Sequence, residues 1–246
     1  MAMNCFCKIT QKNRNFANCT LHAGADMKKL VIFDLDGTLL NTIDDLAAAA
    51  NNMLSHYGYP LFSVEEYKYK VGNGIRKLVE RSLPEMHRTE AEIDKAMAIF
   101  MPYYEAHKAD MTRAYEGITE LLTTLQNSGV ALAVATNKAQ PAVDGLMHTY
   151  FPGIRFRAAL GQSDSRPIKP DPAVVNEIML MAGATAEETL YVGDSDVDML
   201  TAINAGVDAC WVAWGFRKRS EIEIYKPRYI AVTPGEINGM VSAKIV

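Results

Sequence analysis

Two aspartates, Asp34 and Asp36, stand two positions apart at the end of the apolar run Leu30 to Phe33, ahead of Gly37, Thr38 and two leucines. Like charges this close repel, and burying carboxylates is costly unless something compensates them. The stretch calls for a cation. Three other polar groups recur further along the chain: Thr136-Asn137 after the apolar run 130–135, Lys169 between Ile168 and Pro170, and Gly193-Asp194-Ser195-Asp196-Val197-Asp198 after 190–192. Taken singly, each has a bland reading. A D-x-D is common in solvated loops, a threonine at a strand end is usually a cap, and a lysine before proline is usually on the surface. Their order, each near the mouth of a successive buried strand, is what makes them a set.

The hydrophobic periods say which elements must hold that set. The continuous apolar run at 30–33 has the length of a buried strand. Residues 43–57 place Ile43, Leu46, Ala47, Ala50, Met53, Leu54 and Tyr57 at helical three-and-four spacing, stopped by Gly58 and Pro60. Further helices are predicted near 64–70, 75–83 and 90–108, the first two of these separated by Gly72-Asn73-Gly74. From about residue 113 the rhythm changes to helix and strand in alternation. Helices are expected over 118–125, 141–148, 173–181 and 197–204, and strands over 130–135, 156–160, 190–192, 207–212 and 229–232.

That alternation predicts an α/β fold: a doubly wound, mostly parallel, Rossmann-like sheet with right-handed crossovers. The all-helical stretch 44–110 is too long for a connection and reads as an inserted helical domain. The expected division is a core of residues 27–43 and 111–246, a helical insertion at 44–110, and an N-terminal extension at 1–26. The extension shows no sustained period and is expected to be disordered, with Met27 reading as a natural start. Ligands of doubly wound sheets bind beyond the C-terminal ends of the strands, so all the polar groups above can meet in one crevice.

Composition narrows the function. With 49% hydrophobic and 22% charged residues in 246, the chain is an ordinary globular protein with enough apolar material for a core. A formal net charge of −4 gives no reason to expect nucleic acid or an anionic membrane as partner. No apolar run approaches the ~20 residues of a transmembrane helix, and no apolar stretch follows Lys8, Lys12 and Arg14, so the location is expected to be cytoplasmic. Of the four cysteines, Cys5, Cys7 and Cys19 lack partners at zinc-site spacing and read as free thiols, while Cys210 reads as a core residue. The five histidines share no ligand spacing, and Trp211 and Trp214 read as packing.

The stretches DLDGTLLNT, ATNK, KPDP and GDSDVD resemble the four motifs of the haloacid dehalogenase superfamily, over essentially all of residues 28–235. The helical insertion resembles the small α-helical cap of that superfamily, and NTIDDLAAAANNML, VGNGIRKLVERSL and WVAWGF resemble its phosphoglycolate phosphatase branch. The resemblance implies a phosphoric monoester hydrolase in which Asp34 is the nucleophile that becomes an aspartyl phosphate and Asp36 the general acid–base. Gly37 would let the backbone turn beneath the phosphate, Thr136 and Asn137 would hold phosphoryl oxygens, and Lys169 would neutralise the nucleophile and the transferring group.

The implied cofactor is Mg2+, a hard cation suited to oxygen ligands. Its ligands would be the Asp34 and Asp194 carboxylates and the Asp36 backbone carbonyl, with Asp198 orienting metal waters. An acid at position 36 points to phosphate ester hydrolysis or phosphomutase chemistry, since the superfamily's dehalogenases and phosphonate hydrolases lack it. Over the crevice, Asn73, Gly74, Arg76 and Lys77 are the candidates for substrate binding, with helix-start amides suited to an anionic leaving group. The expected substrate is a small phosphorylated metabolite, 2-phosphoglycolate above others, and the expected assembly a monomer or homodimer. A β-phosphoglucomutase-like phosphomutase, or a pyrophosphatase, nucleotidase or sugar-phosphate phosphatase, would share the core motifs. A non-enzymatic phosphate-binding protein is the reading from another class, and Asp34, Asp36, Lys169 and Asp194 all being present speaks against it.

Overall fold

The computed structural model describes residues 27–242. Its strands are β1 (Leu30–Phe33), β2 (Leu40–Asn41), β3 (Arg113–Ala114), β4 (Ala131–Ala139), β5 (Phe156–Gln162), β6 (Thr189–Gly193), β7 (Asp208–Val212) and β8 (Tyr229–Ala231). Its helices are α1 (Ile43–His56), α2 (Val64–Tyr67), α3 (Ile75–Ser82), α4 (Glu90–His107), α5 (Ile118–Asn127), α6 (Gln140–Tyr150), α7 (Ala173–Ala182), α8 (Asp196–Ala205), α9 (Arg219–Ile222) and α10 (Glu236–Val241).

Every side chain of β1 is apolar because both faces of this strand are covered. Val31 and Phe33 pack with α5, α6 and α10 through residues such as Leu121, Leu146 and Ile237. Leu30 and Ile32 point the other way, into Val175 and Ile178 of α7 and Met199 of α8. Helices on both faces leave no solvated side to alternate toward, as expected of a parallel sheet. The six-stranded sheet runs β5-β4-β1-β6-β7-β8, with every neighbouring pair parallel. This is the doubly wound α/β architecture the periods imply.

Register then places the chemistry. Phe33 lies opposite Val134 of β4 and Val192 of β6. The residues that follow these three strands therefore emerge at one level. The chain passes to β4 on one side of β1 and to β6 on the other, which opens a crevice at the point where the winding reverses.

The helical insertion has its own apolar cluster. The stripe of α1 (Leu46, Ala50, Met53, Leu54) packs on Tyr67, on Leu78 and Val79 of α3, and on Ile93, Ala96 and Phe100 of α4. From elsewhere in the chain, Phe216 joins this cluster. Where the chain enters and leaves the insertion, the short antiparallel pair β2–β3 ties the two passages together, Leu40 opposite Ala114. This pair escapes sequence reading because two residues carry no period. So do the four-residue helix α9 and the terminal helix α10.

β4 also differs from expectation. It runs on to Ala139 rather than stopping at 135, with register shifts against β5 near residues 132 and 135. The Gln140 side chain holds this extension by bonding Ala159 O (2.9 Å) and accepting from Gly161 N–H (2.7 Å). Thr136, Asn137 and Lys138 thus sit on the strand's own tip. Cys210 is buried, while Cys5, Cys7, Cys19 and the whole extension 1–26 lie outside the described residues. Among the described residues no helix is long and apolar enough to cross a membrane.

Candidate active site

Asp34 follows β1 directly, its N–H donating to Val192 O (2.9 Å), and is buried at the floor of the crevice. One carboxylate oxygen accepts from Lys169 Nζ (2.8 Å). Lys169 is itself buried and also donates to Asp198 Oδ1 (2.7 Å) and to the Tyr191 hydroxyl (2.9 Å), so its three donors are used. Asp194 completes the acidic group: ligand oxygens of Asp34, Asp194 and Asp198 lie within 4.8 Å of one another.

Burial and the neighbouring Asp198 charge push the Asp34 carboxyl up to about 7, against the pull of Lys169. Burial, with Asp198 and Asp34 beside it, holds Asp194 well above the usual carboxylate range. Burial acts the same way on Asp198, but Lys169 and Ser195 outweigh it and keep that group low. For Lys169 burial is likewise outweighed, by Asp198 and Asp34, and its ammonium is held above the usual range. Three buried carboxylates against one ammonium leave an excess of negative charge. A divalent cation with oxygen donors fits this deficit.

The free coordination positions are uneven. Asp198 is saturated: Oδ1 takes Lys169 and the Tyr191 hydroxyl (3.1 Å), and Oδ2 takes Ser195 N–H (3.0 Å) and Oγ–H (2.6 Å). This is the capping box of α8, which makes Asp198 a positioning group. Asp34 gives only one oxygen to Lys169. Asp194 is steadied by Thr38 Oγ–H (3.2 Å) and Phe216 N–H (2.7 Å), and its carbonyl accepts from Trp211 Nε1 (2.9 Å). Trp214 Nε1 donates to Thr38 O (3.0 Å). The tryptophans pack, as expected, and their indole N–H groups also hold the loops that carry the acids.

Two glycines make room for Asp194. Gly37 has φ +91, and a Cβ there would fall 2.6 Å from Asp194 Oδ2. A Cβ at Gly215 would fall 2.2 Å from Asp194 Cβ. Neither position tolerates a side chain. Gly37 was expected to serve the phosphate, and in the structure it also serves the carboxylate behind it. Gly215 belongs to WVAWGF, but the reason for a glycine there does not show in sequence, because its close contact is with Asp194 in the loop after β6.

Asp36 lies two residues after Asp34, and its two oxygens each accept from Lys138 Nζ at 3.0 Å. Lys138 is buried, and although burial would lower its ammonium, Asp36 and the Tyr104 hydroxyl from α4 hold it above its ordinary range. Thr136 lines the crevice, as expected. Asn137 behaves differently from expectation. Its amide donates to Gly72 O (3.0 Å) and Lys169 O (3.1 Å), and its carbonyl accepts from Lys169 N–H (2.8 Å). The side chain is thus occupied in fastening the Lys169 loop to the insertion, leaving its backbone at the crevice.

The roof of the crevice is Leu46, Val71, Gly72, Gly74, Ile75 and Leu78, with Phe216 and Arg217 at one side. Gly74 is where expected. Arg76 is not: it is exposed on the outer face of α3, paired with Glu90 and with Asp94 (2.6 Å). Lys77 is likewise exposed and paired with Glu80 (2.7 Å). Asn73 accepts from Arg81 Nη2 (2.8 Å) in an outer groove. Helical geometry explains the correction, since α3 turns its Ile75–Leu78–Val79 stripe inward and its charged residues out. The residues missed in sequence are Lys138, Tyr191, Phe216 and Arg217. Lys138 had a signal, being part of ATNK, and so had Phe216, the end of WVAWGF; Tyr191 and Arg217 did not.

The comparisons agree with this geometry. The sequence pattern of the haloacid dehalogenase-like hydrolase family matches residues 31–212. The phosphoglycolate phosphatase of Pseudomonas putida is 35% identical over 218 residues, 85% of this chain and 80% of that protein. Phosphoglycolate phosphatase 1 of Pseudomonas aeruginosa is 38% identical over 194 residues, 77% of this chain and 71% of that protein. Among solved structures, a protein of Lactobacillus delbrueckii subsp. bulgaricus superposes with a TM-score of 0.83 at 31% identity, over 87% of this chain and 98% of that one. A "predicted phosphoglycolate phosphatase" of Haemophilus somnus gives 0.80 at 29%, over 88% and 99%. With the acids, the buried lysine and the parallel sheet in register beneath them, the chain belongs to the haloacid dehalogenase-like hydrolases.

Proposed function

We propose that the protein is a magnesium-dependent phosphatase that hydrolyses 2-phosphoglycolate to glycolate and phosphate through an aspartyl phosphate on Asp34. The observation that carries the reading is Asp34 itself: buried at the tip of the central strand, lining the crevice, with only one oxygen engaged, by Lys169. The relatives named phosphoglycolate phosphatase support the substrate. The proposal includes a catalytic core of residues 27–43 and 111–246 and a helical cap of 44–110 over the crevice.

The free oxygen of Asp34 attacks phosphorus, and the bond from phosphorus to the glycolate oxygen breaks. Asp36 gives that departing oxygen its proton. Asp36 then takes a proton from the water that attacks the aspartyl phosphate, phosphate leaves, and Asp34 is free again. Lys169, bonded to the nucleophile, neutralises it and the transferring group, and the Thr136 hydroxyl meets the phosphoryl oxygens, where charge spreads in the transition state. Asn137 keeps Lys169 in place. Magnesium, bound by the Asp34 and Asp194 carboxylates and the Asp36 carbonyl, would supply charge neutralisation between nucleophile and dianion. The apolar roof excludes water.

The test is phosphate release from 2-phosphoglycolate, β-glucose 1-phosphate, pyrophosphate and nucleoside monophosphates, with magnesium and with chelator. The expected result is a clear preference for 2-phosphoglycolate that chelator abolishes. Release from all members alike would discard the substrate, and no release from folded protein would discard the catalytic reading.

A further inference from the structure

We infer that Lys138 is the anchor for the anionic end of the leaving group: its ammonium receives the carboxylate that the substrate carries beside its departing oxygen. The inference rests on the phosphatase reading above and deepens it.

Three cations line the crevice, Lys138, Lys169 and Arg217. Lys169 is saturated by Asp34, Asp198 and Tyr191. Arg217 is turned to the cap, donating to Lys68 O and Val71 O (3.2 Å), and lies beside Asp196 (3.5 Å). Lys138 alone among them is bound to the group that must hand a proton to the leaving oxygen, with Nζ at 3.0 Å from both Asp36 oxygens. A substrate oxygen that reaches Asp36 brings whatever is bonded one carbon away to Lys138. In glycolate that group is a carboxylate.

The surroundings support an anion there. Lys138 is buried, with the Tyr104 hydroxyl beside it and the ring 5.5 Å away, so a charge partner is little screened by water. Arg76 and Lys77, the cap cations expected from sequence, face outward and cannot serve. The start of α3 sits over the same strand tip, since a Cβ on Gly74 would stand 3.6 Å from Asn137 O. The first turn of α3 has no side-chain cap and no acidic residue, so the positive end of the helix adds to the field at that tip.

The experiment compares 2-phosphoglycolate with ethyl phosphate, which has the same skeleton without the carboxylate. Wild type, Lys138→Met, Lys138→Arg and Tyr104→Phe are measured for kcat/KM on both, with circular dichroism to verify folding. Wild type is expected to prefer 2-phosphoglycolate, and Lys138→Met to reduce that preference at least about tenfold, as expected for a lost charge-assisted hydrogen bond. Lys138→Arg should keep part of the preference, and Tyr104→Phe should reduce it about threefold. An equal fall on both substrates, or no change in their ratio, would overturn the anchor. If Lys138→Met does not fold, the Tyr104→Phe and Lys138→Arg ratios decide, and ratios equal to wild type overturn it. Wild type that hydrolyses neither ester would instead sink the 2-phosphoglycolate reading on which the anchor rests, a result visible before any variant is made.

Discussion

At the scale of the residue, the site is a problem in charge. Asp34, Asp194 and Asp198 are held within 4.8 Å of one another, and Lys169 compensates only part of their charge. Asp34 is raised from its usual range to about 7, first by burial and then by Asp198. A carboxyl raised in the folded state contributes stability that is complete at acid pH and is lost as pH rises through that value. Asp194, raised in the same direction, adds to the loss. Above about 7 a metal ion must take the place of the protons. Magnesium is therefore expected to raise Tm more at pH 8 than at pH 5.5. Its affinity should fall at least about tenfold for each pH unit below the Asp34 value, where protons on Asp34 and Asp194 compete with the ion. Thermal melts and titration calorimetry at the two pH values check this; equal stabilisation at both would contradict it.

At the scale of the element, the insertion is held to the sheet at its neck. Asp45, in the first turn of α1, is buried, and its carboxylate accepts from Met111 N–H (2.9 Å), Thr112 N–H (2.8 Å) and Thr112 Oγ–H (2.7 Å). The entry of the insertion thereby captures its exit, next to the β2–β3 pair. Removing that acceptor strands the buried Thr112 N–H and hydroxyl and frees the Met111 N–H. Asp45→Ala is expected to cost about 3 kcal/mol. Asp44→Ala, which loses only a 4.0 Å pairing with exposed Arg113, should cost under about 1 kcal/mol. Denaturant midpoints of the two variants check the contrast.

At the scale of the whole molecule, the loop after β7 links the acids to the roof. Phe216 donates its N–H to Asp194 and buries its ring in the cluster of the helical insertion. Next to it, Arg217 donates to the carbonyls of Lys68 and Val71 and lies over the Tyr69 ring (5.7 Å). The position of the roof and the position of a metal carboxylate are thus set by adjacent residues. Arg217→Ala is expected to raise KM about tenfold with a smaller change in kcat, because the roof is held less often over the crevice. Arg76→Ala, on the outer face, should change neither by more than about twofold. Steady-state kinetics on both variants checks this, and the reverse ranking would refute it.

Much of this protein is legible in its sequence, for a local reason. A strand buried on both faces has to be apolar throughout, and a helix on a sheet has to carry an apolar stripe, so β1, β4, β6, β7 and the large helices declare themselves. Asp34, Asp36 and Asp194 are legible because they follow those strands closely, and in-register parallel pairing brings strand ends together; Lys169 is legible from its KPDP stretch, in the loop seven residues after β5. What only the tertiary structure decided depends on contacts between distant parts of the chain. The spacing of Arg76 and Lys77 says they share a helix, but the direction in which that helix turns its apolar face sends them to solvent. Asn137 reads as a phosphate ligand until Gly72, from the insertion, occupies its amide. Lys138, Gly215 and Arg217 take their meaning from Asp36, Asp194 and the carbonyls of the insertion, partners many tens of residues away or in the loop after another strand. Periodicity reports which face is buried; it carries no record of which charge or carbonyl waits on the other side.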